Sequence, residues 1–193
     1  YDNIVSDMLL LLDRVVRQRL SQDEASLYYN AIRTERFSSS KTIASLIDEY
    51  LTLADKLSIY NIIVSDENSQ QSQNYLEEKE RLEREIFNRI WITFPLKSNE
   101  EELIKDIFQS KKFTQQFQEL VVSALLMGMN EYYDPRRLNL LFAAYQSEIQ
   151  EVSVKALVAI LLSFYKYGCR ISDAKLLIYF ASIIELPTWS SDV

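Results

Sequence analysis

Acid–base or nucleophilic chemistry in this chain would have to come from carboxylates, lysines, tyrosines or a single thiol, because its 193 residues include no histidine. Cys169 is the lone cysteine, so no internal disulfide exists. With no imidazole to activate it, it reads as a small apolar filler past a helix end. The densest carboxylates lie in YLEEKERLEREIFNRI, Tyr75 to Ile90. There Glu77, Glu80 and Glu85 each stand four residues before Arg81, Arg84 and Arg89. That order supports an exposed, self-supporting helix face rather than a cation site. Gly128 and Gly168 are the only glycines, which leaves no material for a phosphate-cradling loop. No nucleophile elbow and no zinc or calcium ligand spacing occurs. The expectation is a chain without catalytic residues, cofactor or metal.

The elements that would carry any other function are helices. Two glycines and three prolines in a chain that is 48% hydrophobic leave almost no turn chemistry for repeated hairpin strands, so the fold class expected is all-α. Tyr1 to Leu20 has Ile4, Met8, Leu11, Leu12 and Val15 at helical spacing. Ser21 with Glu24 forms a capping box for a second helix, and a third runs from Lys41 to Val64. The polar stretch SDENSQQSQN, Ser65 to Asn74, is the best internal boundary. It separates an N-terminal helical part, residues 1–65, from a second part, residues 75–193, within what reads as one continuous helical domain of a longer chain. Pro95 stops the charged helix. Ser98 with Glu101 caps the next, and Asp134 followed by Pro135 starts another. A helix from Val152 to Tyr167, apolar around most of its circumference, is expected to be the most buried and to end on Gly168 in a left-handed conformation. Ser172 then starts a last helix, from Ala174 to Glu185.

VSALLMGMNEYY, Val122 to Tyr133, can be laid on VKALVAILLSFY, Val154 to Tyr165, with Val, Ala, Leu and Tyr recurring. Leu138, Leu141 and Phe142 then correspond to Leu176, Tyr179 and Phe180. Two helical units at a period in the thirties point to antiparallel helical hairpins stacked as a short HEAT/TPR-like α-solenoid. The stretches WITFP (Trp91 to Pro95), YDPRRLNLL (Tyr133 to Leu141) and Val154 to Tyr165 carry a resemblance to large bacterial tetratricopeptide-repeat-containing proteins, across roughly residues 86–171. That resemblance implies an all-helical chain in which such a segment precedes further repeats, and it implies no catalytic residue. The tetratricopeptide pattern of Trp, Gly, Tyr and Pro at fixed offsets is absent, and HEAT-like pairing is the nearer description.

Net charge is −7, which argues against nucleic acid and anionic membranes as partners. Arg14, Arg17 and Arg19 form the one local basic group and read as a solvated helix face. The apolar run Ala156 to Phe164 is about half the length of a bilayer span. A location in the cytoplasm is therefore expected. The function expected is a non-enzymatic interaction scaffold that binds a protein or peptide partner. The alternative is a regulatory or structural segment of a larger enzyme whose chemistry lies elsewhere. Among the 12 tyrosines and 9 phenylalanines, Tyr132 and Tyr133 lie beside Arg136 and Arg137 at an inter-helix corner, a composition suited to partner contacts. Leu177, Ile178 and Ile184 widen the apolar face of the last helix, which suggests packing on a further segment or self-association there.

Overall fold

In a computed structural model that describes residues 2–38, 41–63, 70–171, 177–178 and 180–181, the chain is all-helical, with no strand among the described residues. Its helices are α1 (Asp2–Asp23), α2 (Leu27–Ser38), α3 (Ile43–Ile63), α4 (Gln70–Ile92), α5 (Ser98–Gln109), α6 (Gln115–Glu131), α7 (Pro135–Tyr145) and α8 (Gln150–Tyr167). A 3₁₀ turn, Gly168–Arg170, follows α8.

Helices two apart in sequence pack side by side, in two rows. One row runs α2, α4, α6, α8, and the other runs α3, α5, α7. Antiparallel neighbours α3–α4 and α7–α8 tie the rows together. α6 is an inner member of its row, touching α4, α7 and α8, and its Val121, Val122, Ala124 and Leu125 are fully buried. Under the sequence overlay, Ala124, Leu125 and Gly128 of α6 match Ala156, Leu157 and Ile160 of α8, and all six are buried. The proposed boundary at the polar stretch separates little: α4 begins inside it at Gln70, and α3 packs along α4 across it.

Several local expectations change. Ser21 starts no helix: α1 continues through it, and its buried hydroxyl donates to the Gln18 carbonyl at 2.8 Å. The Ser26 hydroxyl caps α2 instead, accepting from Tyr29 N at 3.3 Å. α5 starts at Ser98 itself, with Glu100 reaching back to Lys97 N at 2.9 Å. Asp134 does cap α7, accepting from Arg136 N at 3.0 Å, with Pro135 at the first helical position. Gly168 is right-handed (φ −50°, ψ −40°), so α8 tightens into the 3₁₀ turn rather than stopping in a left-handed cap. Cys169 in that turn is exposed and is not core filler. Ser172 lies outside the described residues.

α8 is not the most buried helix. Among the described residues it is the last member of its row; Val158, Leu162 and Tyr165 are exposed and Leu161 is only half-buried. Together with the 3₁₀ turn (Gln150–Arg170) it has the length and composition of a bilayer span. In the fold its other side packs on α6 and α7. The charged helix α4 also pairs differently from its i,i+4 pattern. Arg81 takes Glu78 and Glu85, Lys79 takes Glu83, and Arg89 crosses to Glu35 of α2.

Candidate partner-binding surface

The corner of Tyr132, Tyr133, Arg136 and Arg137 turns inward. Pro95 cuts the chain just after α4, leaving that helix's last carbonyls without amide partners. Arg137 supplies them. The residue is 1% exposed, and its Nη2 donates to the carbonyls of Ile90 (2.7 Å), Trp91 (3.1 Å) and Thr93, while Nη1 reaches Ala124 O of α6 at 3.4 Å. Arg17 of α1 donates to the Ile92 carbonyl and, through Nε, to Tyr28 Oη at 2.9 Å. Cations at a helix C-terminus also complement its dipole. Burial pulls the Arg137 pKa down, against a smaller upward pull from the Asp134 carboxylate. Asp134 is itself fully buried and accepts from Leu96 N at 2.8 Å, so one carboxylate caps α7 and fixes the chain after Pro95.

Gly128 belongs to the same assembly. A Cβ there would lie 1.7 Å from Arg137 Nη1 and 2.3 Å from Cζ, so the missing side chain makes room for the guanidinium rather than for a neighbouring helix.

Tyr132 is buried, exchanges a hydroxyl hydrogen bond with Tyr29 and stacks on Phe94 with ring centroids 5.0 Å apart. Burial first, and the Tyr29 contact second, push its phenol pKa well above normal. Tyr133 is buried against Tyr167 at 5.5 Å, with the Arg170 guanidinium 5.3 Å from its ring centre. Arg136 alone of the four is partly open. It pairs with Glu101 at 3.3 Å and reaches Leu96 O at 3.3 Å, stitching α7 to α5. Aromatic and arginine residues at a corner thus describe a brace between helices, and three of these four side chains are inaccessible to a partner. Leu177 and Ile178 are 44% and 70% exposed, beside Phe180, which stacks on Phe164 of α8 at 4.1 Å; Ile184 lies outside the described residues.

Open hollows lie elsewhere, around α3, α5 and the α5–α6 and α7–α8 turns. One hollow of about 510 Å³ sits between the α5–α6 turn and the α7–α8 turn, lined by Phe108, Phe113, Gln118 and Ile149 among others. A second, about 500 Å³, lies between α3 and α5 and shares Gln109, Ser110 and Phe113 with the first. A third, about 600 Å³ between α3 and α4, meets the second at Asp48. The three form a trough with half-buried Leu51, Leu103 and Tyr75 in its wall.

Its floor is rigid. Tyr50 of α3 stacks on Phe117 at 4.4 Å and on Phe113 at 6.0 Å, and the two phenylalanines are 5.5 Å apart. Burial first, then the nearby Glu83 carboxylate, raises the Tyr50 pKa to about 12. Buried Gln118 ties both turns at one end, donating to Phe113 O at 3.4 Å and accepting from Ser147 Oγ at 3.5 Å. Around the trough, Asp48, Glu49, Glu78, Asp106 and Glu148 outnumber Lys56, Lys111 and Lys112, giving a mildly acidic rim. No periodicity marks these residues, because they come from three helices and two turns. Among the described residues no group of three or more His, Cys, Asp or Glu side chains is placed to hold a metal ion. No family model matches the chain, and neither a curated protein nor a solved structure matches it.

Proposed function

We propose that this chain is a non-enzymatic helical scaffold, its two rows a short α-solenoid, and that it binds an extended segment of a protein partner along the α3–α5–α7 row. The single observation that carries this reading is the run of three hollows that share lining residues, Phe113 between the first two and Asp48 between the last two, beside a stacked aromatic cluster. Row-on-row helix packing produces such elongated concave surfaces, and pockets between successive helices take alternate side chains of a bound segment. Half-buried Leu51, Leu103 and Tyr75 with an acidic rim suit a ligand that alternates apolar and basic residues. The resemblance to tetratricopeptide-repeat-containing bacterial proteins is compatible with this role and remains part of the proposal.

The test is a peptide-display selection on the whole purified chain. Enriched peptides are expected to share apolar and basic positions, and Leu103→Arg should weaken them at least about tenfold, some 1.4 kcal/mol. Binders indifferent to Leu103→Arg and to Leu51→Glu would overturn the assignment.

A further inference from the structure

α1 is turned inside out relative to an ordinary surface helix. It is held to the body by its polar side: Asp13 pairs with Arg170 at 2.7 Å, and Arg17 bonds Tyr28 and the end of α4. Its apolar side faces away. Ile4, Met8, Leu11 and Val15 are 63%, 65%, 57% and 63% exposed, and Val5 and Leu12 lie beside them, also exposed. Core-facing helices do the opposite.

The spacing of the exposed stripe is informative. Ile4, Met8, Leu11 and Val15 step by four, three and four, the seam of a two-stranded coiled coil. In that frame Val5 and Leu12 flank the seam on one side, and Asp7 and Arg14 flank it on the other. Asp7 and Arg14 are both exposed, and neither makes an ion pair with a described residue.

We propose that this face binds a second copy of the same chain, α1 against α1, antiparallel about a two-fold axis. One register satisfies every group at once. Ile4 meets Val15 of the second copy and Met8 meets its Leu11, so the two-fold axis generates four apolar layers. The same register sets Val5 against Leu12 of the second copy, and Asp7 against its Arg14. Each copy thus contributes one acid and one base to two identical ion pairs, the self-complementarity that an isologous interface requires. A parallel pairing in register sets Asp7 toward the flank of the seam occupied by Val5 and Leu12, and leaves Arg14 without its acid. One helix face lies toward the small end of specific interfaces, so the dimer is reversible and concentration-dependent.

Sedimentation equilibrium of the whole chain across the micromolar range tests this, with circular dichroism verifying helicity. Dimer is expected for the native chain. Leu11→Asp, which sets a carboxylate in an apolar layer, should weaken it at least about tenfold. Asp7→Arg and Arg14→Asp should each weaken it roughly threefold or more, and the two together should restore it to near native strength, because the swap regenerates the pair. If Leu11→Asp loses helicity, Met8→Glu in the same layer gives the same reading. A chain that stays monomeric throughout, its stripe covered by its own residues beyond Ile171 or by nothing, overturns the proposal. So does a dimer indifferent to Leu11→Asp, or one that the charge swap fails to recover. Flotation of a monomeric chain with anionic vesicles, abolished by Leu11→Asp, assigns the face to a membrane and equally overturns it.

Discussion

Arg137 shows how one side chain comes to serve several helices. Its bonds to Ile90, Trp91 and Thr93 exist because Pro95 prevents α4 from continuing, and its position exists because Asp134 caps α7 beside it. Replacing it by Met fills the space but strands buried carbonyls, and Arg137→Met should lower stability by about 3–5 kcal/mol in urea denaturation. Gly128→Ala offers a sharper test. Helix propensity alone favours Ala by about 1 kcal/mol. The 1.7 Å clash with an anchored guanidinium reverses the sign, to a loss of about 1–3 kcal/mol. In an Arg137→Met background the same change should return toward neutral, and additive losses would show that the two sites do not touch. Asp134→Ala should exceed the roughly 1 kcal/mol of a simple cap, at about 2–4 kcal/mol, since Leu96 N is stranded as well. The cap itself was legible from Asp-Pro. The guanidinium's inward turn was not, since Tyr and Arg side by side suit a binding hot spot and an internal brace equally.

At the scale of elements, hydrophobic spacing identifies which face of a helix is apolar but not what covers it. The stripe of α1 has the spacing of a core face and lies in solvent. The near-continuous apolar surface of α8 suggests a central helix, yet among the described residues α6 has row neighbours on both sides, α4 and α8, whereas α8 has only α6. Truncations separate the two helices. Leu125→Ala in α6 should cost about 2–5 kcal/mol, as a cavity in a packed core does. Val158→Ala on the open side of α8 should stay within about 0.5 kcal/mol. Half-buried Leu161→Ala falls between them. Equal losses at Leu125 and Val158 would mean that α8 is covered. Helix starts were readable where one residue alone can cap, as at Asp134. They were misread where SQDEAS offers two serines, and Ser26 wins because α1 continues through Ser21.

For the whole molecule, the all-helical class followed from scarce Gly and Pro, and the recurrence of α6 in α8 marks two helices of one row with the same buried face. The trough was not legible, since its residues come from separate helices and turns that only packing brings together. Buried phenols tie the fold to pH. Tyr50 and Tyr167 both titrate near 12, against 10.0 for an open tyrosine, chiefly through burial. Between those values the unfolded chain has released protons that the folded chain retains. Stability is therefore fully present below pH 10 and falls as pH rises toward 12. Urea midpoints that stay flat across this window would show these phenols to be open to water.

The trough as the partner-binding surface is tested most directly by an amide hydrogen-exchange footprint of the whole chain with a display-selected peptide bound. Protection is expected together at the α5–α6 turn around Ser110 to Phe113, at the α7–α8 turn around Gln146 to Ile149, and on α3 around Asp48 to Leu51. Protection confined to the Tyr132–Arg137 corner, or absent from both turns, would contradict it.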